Sequence, residues 1–141
     1  MIYQKFNSLI FASALLLTAC SGSETGTPNQ EPKSTATMTE EERGARIYQR
    51  CRACHTLDEA GRHKVGPNLW AIYGSQAGTK EGYAYSKAMK ASEIVWDQET
   101  MDAYLTRPAE FVPGTKMSFI GLKHQEDRDA VQAYIKIETT P

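Results

Sequence analysis

The pentapeptide Cys51-Arg52-Ala53-Cys54-His55 constrains this chain more than any other stretch. Cys-x-x-Cys-His is the attachment pattern of a c-type haem. Two thiols one helical turn apart can each form a thioether to a vinyl group on one porphyrin edge. A histidine next in the chain can then turn under the ring and offer an imidazole nitrogen to the iron. Other uses of the pattern fit less well. A zinc knuckle needs a second Cys/His pair, and none follows downstream. A thioredoxin-like redox pair needs a βαβ context, and the chain shows no such alternation.

Around this motif the periodicity is helical. Thr39-Glu40-Glu41-Glu42 is a capping box, with Thr39 as N-cap, Glu42 reaching back and three acids suited to the helix dipole. Gly44, Ile47, Tyr48 and Cys51 recur at i, i+3, i+4 and i+7, so one face points inward. Glycine inside a helix costs about 1 kcal/mol against alanine. Gly44 therefore marks either a close approach by another helix or a plain helix-start glycine. The expected partner is a closing helix over Gln125 to Glu138, with Ala130, Val131, Tyr134, Ile135 and Ile137 on its apolar side. Between them, Thr56 to Val65 reads as a polar, flexible loop and Gly66-Pro67 as a fixed turn. Leu69, Trp70, Ile72 and Tyr73 form a short apolar run expected to line one haem edge. Tyr83 to Ala91 is expected to hold a short helix with Tyr85 at its start. Asp97 reads as the N-cap of a helix over Gln98 to Thr106, where Met101, Tyr104 and Leu105 share a face and Pro108 ends it. Strand signals are sparse, so the fold class is all-α.

Further motifs lie at telling intervals: Gly66-Pro67-Asn68-Leu69, Gly82-Tyr83-Ala84-Tyr85-Ser86, Ile94-Val95-Trp96, Tyr104-Leu105 and Pro113-Gly114-Thr115-Lys116-Met117. With these, the stretch from Thr39 to Ile137 resembles the class I cytochromes c, in particular the mitochondrial and bacterial cytochrome c2 branch. The resemblance implies several helices wrapped around one covalent haem c, with the first and last helices crossing. It implies thioethers at Cys51 and Cys54, axial ligation by His55 and Met117, and a Pro67 carbonyl that accepts the other imidazole N–H. Met117 stands apart from Met38, Met89 and Met101, which read as core packing. His63 and His124 are alternative ligands by residue type alone. Tyr85 and Trp96 are implied propionate partners, and Tyr104 and Thr115 are implied neighbours of the Met117 sulfur; simple core filling is the competing role for each aromatic. Two positions depart from the family pattern. Ser75 stands where many relatives carry an arginine near a propionate, and Met89 where the mitochondrial branch usually has asparagine.

Function follows from the ligand set. Histidine and methionine together leave the iron no open position, which implies a one-electron carrier rather than an enzyme. The alternatives are a haem peroxidase or sensor with an open sixth site, or a fixed subunit of a larger redox complex. The charge is nearly balanced, −1 over 141 residues, and nothing points to nucleic acid. Arg50, Arg62, Lys64, Lys116 and Lys123 flank the haem-bearing segments, whereas acids gather at Glu40-Glu41-Glu42 and Glu126-Asp127-Asp129. This is either a solvated mixed surface or a docking face for an acidic redox partner. The implied partners are a quinol-cytochrome c reductase and a terminal oxidase or photosynthetic reaction centre, met by a monomer.

The third cysteine belongs to a different device. Lys5 precedes an apolar run from Leu9 to Leu17 that is short for a bilayer span and reads as a secretory signal. Leu17-Thr18-Ala19-Cys20 resembles the lipobox of bacterial lipoproteins, in which the chain is cut before the cysteine and the cysteine is lipidated. A plain signal with a stray thiol and a retained signal anchor are the other possibilities. Ser21 to Met38 is rich in Ser, Thr, Gly and Pro and reads as a flexible tether. The expected organisation is a signal peptide over 1–19, lipidated Cys20 with its tether over 20–38, and the cytochrome c domain over 39–141. The expected location is the periplasmic face of a bacterial membrane.

Overall fold

The computed structural model describes residues 38–140; the expected signal peptide, Cys20 and the expected tether up to residue 37 lie outside them. The described chain forms α1 (Glu40–Arg52), α2 (Lys87–Lys90), α3 (Gln98–Thr106), α4 (Pro108–Phe111) and α5 (Gln125–Thr139). Among the described residues the β content is one isolated antiparallel bridge between Gln76 and Val95. The fold is therefore all-α, with long loops carrying much of the site.

Helix α1 starts where the sequence places it. The Glu42 backbone N–H donates to Thr39 Oγ1 at 3.2 Å, and the Thr39 N–H donates to Glu42 Oε2 at 2.8 Å. Its apolar stripe packs on α5, the most extensive contact between helices. Gly44 is the point of closest approach. A methyl placed there would lie 2.3 Å from the Ala130 carbonyl oxygen and 2.7 Å from Tyr134 Cβ. One turn on, the Tyr48 and Tyr134 rings meet at 5.6 Å. At the other side of Gly44, Arg43 pairs with Asp127 at 3.2 Å, so the acid-rich starts of α1 and α5 share a cation.

The core continues through Ile72, Met89, Trp96, Met101, Tyr104, Leu105, Val112, Leu122, Val131 and Ile135. Arg128 is buried on α5 and was not singled out by pattern. Its guanidinium donates to Asp102 Oδ1 at 2.8 Å and to the Leu122 and Lys123 carbonyls at 2.9 and 3.1 Å. It thereby ties α3 and the 122–123 segment to α5.

Several local expectations change. The helix in 83–91 is confined to Lys87–Lys90, because the Ser86 hydroxyl accepts from Met89 N–H and caps it; Tyr85 precedes the cap. Helix α3 ends at Thr106, and Arg107, next to Pro108, is extended as the proline ring requires. Pro108 then opens α4, using its fixed φ at a first-turn position. Met38 is 37% exposed rather than core, because it precedes the capped helix. Ile137 is 63% exposed, since α5 has turned that position away from α1.

Gly44→Ala sets two magnitudes against each other. The helix gains about 1 kcal/mol of propensity, but overpacking costs about 1–3 kcal/mol. The obstructing atom is a backbone carbonyl, which moves only if α5 moves, so overpacking wins. The expected outcome is a net loss of up to about 2 kcal/mol, read as a lower denaturant midpoint at unchanged slope. An unchanged or higher midpoint contradicts the close-packing account.

Candidate functional site

The last turn of α1 and the residues after it deliver Cys51, Cys54 and His55 to one wall of a cavity of about 330 Å³. That volume lies within the range of cofactor clefts, about 300–1,000 Å³. Met117 lines the same cavity, as do Tyr85, Trp96, Tyr104 and Thr115, so the expected ligands, propionate partners and neighbours of the Met117 sulfur converge there. Most of the remaining lining is apolar: Leu69, Ile72, Met89, Met101, Leu105 and Phe119.

The CxxCH turn is held from within. Cys54 and His55 N–H both donate to the Cys51 carbonyl, at 3.0 and 2.9 Å. The buried Tyr48 hydroxyl donates to the His55 carbonyl at 3.3 Å. Burial pushes the Cys51 thiol up to about 11, with Arg50 pulling the other way.

His55 Nδ1 lies 2.7 Å from the Pro67 carbonyl oxygen. A carbonyl only accepts, so Nδ1 carries the proton. Burial holds the ring below the ordinary imidazole range, against the raising effect of the Pro67 bond, so it is neutral and its Nε2 lone pair is free. Gly66 makes room for that ring: a Cβ there would stand 2.4 Å from His55 Cε1 and 2.7 Å from Nε2.

On the Met117 side, the Tyr104 hydroxyl and Thr115 Oγ1 are 3.0 Å apart, and the Met117 N–H donates to Thr115 Oγ1 at 3.3 Å. Burial raises Tyr104, partly offset by Thr115, so its hydroxyl stays protonated. Burial, with Tyr83 beside it, pushes Tyr85 up to about 12, against the lowering effect of the Lys80 backbone N–H. The Trp96 ring packs on Tyr104 at 5.0 Å.

Other expectations separate. Leu69 and Ile72 line the cavity, whereas Trp70 and Tyr73 do not. Tyr73 instead directs its hydroxyl at Gln132, 3.4 Å away, because the short run turns after Ile72. His63 and His124 are not in the lining. His63 Nδ1 accepts from Asn68 N–H at 2.9 Å and Nε2 bonds the Glu81 carbonyl at 2.8 Å, while His124 sits at the N-cap position of α5 with no side-chain cap bond. Ser75 lies outside the lining, its hydroxyl donating to the Ile72 carbonyl at 2.6 Å, and Met89 fills part of the wall. Of the basic residues, Arg50 and Lys116 reach the cavity rim; Arg62, Lys64 and Lys123 are exposed but do not line it. Arg50 lies over the Phe119 ring at 5.0 Å, and Lys116 donates to the Ala84 carbonyl at 2.6 Å. The 56–65 loop is polar, as its composition says, yet it is pinned by Asn68, His63 and Lys64.

The donor set therefore consists of paired thiols, a neutral imidazole and a thioether on one largely apolar cavity, with a glycine cradle behind the imidazole. It fits a haem bound through a CxxCH motif. The family model for cytochrome c matches residues 41–137. The chain belongs to the cytochrome c family. A cytochrome c of Kluyveromyces lactis is 43% identical over 96 residues, covering 67% of this chain and 87% of the relative. A cytochrome c of Gossypium barbadense is 44% identical over 97 residues, 68% and 87% respectively. One of Chlamydomonas reinhardtii is 43% identical over 98 residues, 69% and 88%. The chain is accordingly a monohaem electron carrier and not an enzyme, with one covalent haem c for which Cys51 and Cys54 have the required spacing. Pattern reading did not single out Tyr48 and Phe119 as parts of this site. Tyr48 was visible only as a helix-face aromatic, and no signal marked Phe119.

Gly66→Ala should displace the His55 ring, since backbone flanked by proline cannot yield 2.4 Å of contact cheaply. We expect destabilisation of about 1–3 kcal/mol together with a shifted reduction potential, measured by chemical denaturation and redox titration. Wild-type values for both would show that the ring does not depend on the missing side chain.

Proposed function

We propose that Cys51 and Cys54 carry the haem as thioethers and that His55 Nε2 and the Met117 thioether are its axial ligands. The observation behind this is the His55–Pro67 hydrogen bond. It spends Nδ1 on a carbonyl and leaves Nε2 as the only basic imidazole atom for iron in a cavity that Met117 also lines. Haem iron held in this way supplies a single reversible electron, and methionine opposite histidine raises its potential. The protein's part is to fix the imidazole tautomer, exclude water and present both ligands without rearrangement. Tyr104 and Thr115 orient the Met117 loop, while Tyr85 and Trp96, which line the cavity, serve as propionate donors.

The carrier is a membrane-tethered monomer on the periplasmic face, anchored through lipid on Cys20. It shuttles between a quinol-cytochrome c reductase and a terminal oxidase or photosynthetic reaction centre. The lipobox-like sequence supports the anchor, and the basic rim at Arg50 and Lys116 beside exposed Val65 supports docking to an acidic partner. A tether of 18 residues would reach about 60 Å if extended, or about 23 Å root-mean-square as a coil. That reach confines the haem edge to complexes in the same membrane at an effective concentration of order millimolar. A lone acyl chain holds weakly, whereas the two or more of a lipoprotein cysteine hold stably.

Met117→Ala should open the sixth position, lower the potential, abolish the sulfur-to-iron charge-transfer band and raise peroxidase activity. An unchanged potential with an intact band would rule Met117 out as ligand. For the anchor, Met1 to Cys20 is exchanged for an ordinary cleavable export signal. The product is expected in the soluble periplasmic fraction, with the native spectrum and slower turnover with membrane partners. Sedimentation of that product with membranes, or an unmodified Cys20 in the native protein by mass spectrometry, would refute lipid anchoring.

A further inference from the structure

The loop behind His55 is held by a clamp that the site itself does not contain. Pro67 and Asn68 share one peptide unit. Its carbonyl end accepts from His55 Nδ1, and its N–H end donates to His63 Nδ1. Whatever orients this peptide orients the hydrogen bond on the imidazole. Asn68 is 3% exposed and its side chain is fully used. Its Nδ2 donates to Thr56 Oγ1 and to the Asp58 carbonyl, both at 2.9 Å. Its Oδ1 accepts from the Trp70 N–H at 3.0 Å and from the Lys80 ammonium at 3.2 Å. The same ammonium donates to the Trp70 carbonyl. Next to Lys80, the Glu81 carbonyl accepts from His63 Nε2 at 2.8 Å. Residues 80 and 81 thus grip Asn68 twice, once through its side chain and once through its backbone N–H by way of His63.

We propose that Lys80 is a positioning residue for the imidazole ligand, setting the strength of the His55–Pro67 hydrogen bond through Asn68. This rests on the assignment of His55 as an axial ligand. Lys80 does not line the cavity and touches neither His55 nor Pro67 among the hydrogen bonds of the structure, so its effect is relayed. The ammonium is suited to the task because it spans two acceptors, the Asn68 amide oxygen and the Trp70 carbonyl, that a neutral apolar side chain would leave unlinked. A charge-assisted bond to each is stronger than a neutral one. Losing it frees the segment after Pro67 to rotate, which lengthens the carbonyl contact to Nδ1. A weaker bond there makes the imidazole a poorer donor to Fe(III) and raises the potential. The lost positive charge acts in the opposite direction, but the ammonium is only partly buried and solvent screens it.

The test uses the haem-loaded protein with Lys80→Met, which keeps length and removes the donors, and Lys80→Arg, which keeps donors and charge. Solvent exchange of the His55 Nδ1–H is followed by its paramagnetically shifted proton resonance, with the amides of α1 and α5 as internal references. The potential is measured alongside. In Lys80→Met, Nδ1–H exchange should quicken about tenfold, which corresponds to weakening that one bond by about 1.4 kcal/mol. The helix amides should be unchanged and the potential should rise, and Lys80→Arg should stay close to wild type. Unchanged Nδ1–H exchange, a fall in potential, or equal acceleration of the helix amides overturns the proposal. The last of these reports general loosening, not positioning. Absence of the shifted resonance from the wild-type protein overturns His55 ligation itself, and the proposal with it.

Discussion

The missing side chain at Gly44 is what lets the rest of the site exist. The last turn of α1 carries Cys51 and leads directly into Cys54 and His55, so whatever fixes α1 fixes where they start. It is fixed by a backbone-to-backbone approach to α5 that would place a methyl 2.3 Å from the Ala130 carbonyl. The neighbouring contacts extend the same approach: Arg43 to Asp127 before it, and the Tyr48 and Tyr134 rings after it. Tyr48 then hands this rigidity on, since its hydroxyl holds the His55 carbonyl. Helix packing and ligand placement are therefore one chain of contacts, from α5 through α1 to the CxxCH turn.

A second constraint acts on the other face of His55. The imidazole is confined between a glycine that leaves it room and a proline carbonyl that fixes its tautomer. Neither residue carries a reactive group. Their contribution is to remove alternatives, so that the ring offers one nitrogen in one orientation. Electron transfer benefits from such stiffness, because a ligand that need not rearrange adds little to the cost of changing the iron's charge.

Much of this was legible in the sequence, and the residues that were not share a reason. The capping box at Thr39, the Asp97 cap, the Gly44 face of α1 and the pocket residues from Cys51 to Met117 are local patterns or family motifs. Arg128 and Lys80 work through partners that no helical or strand period reaches, Asp102 for Arg128 and Asn68 for Lys80. No periodicity encodes a side chain that reaches a distant carbonyl. The errors at Ile137, Trp70 and Tyr73 have a related origin, because an apolar residue announces that it wants burial and not which side of a turn it will face. For Met38, hydrophobic type is legible in the sequence, but its place ahead of the cap decides its exposure.

Ile72, Met89, Trp96, Met101, Tyr104 and Leu105 belong at once to the hydrophobic core and to the cavity wall. The apolar interior thus has no boundary between protein and cofactor. In such a molecule ligand binding and folding draw on the same buried surface. With an ordinary ligand this coupling varies with concentration, and dilution would erode it. A covalent bond at Cys51 and Cys54 removes that variable: the ligand's concentration beside its own site is fixed by the chain. The stability of the carrier then becomes a property of the single molecule, indifferent to how scarce haem is around it.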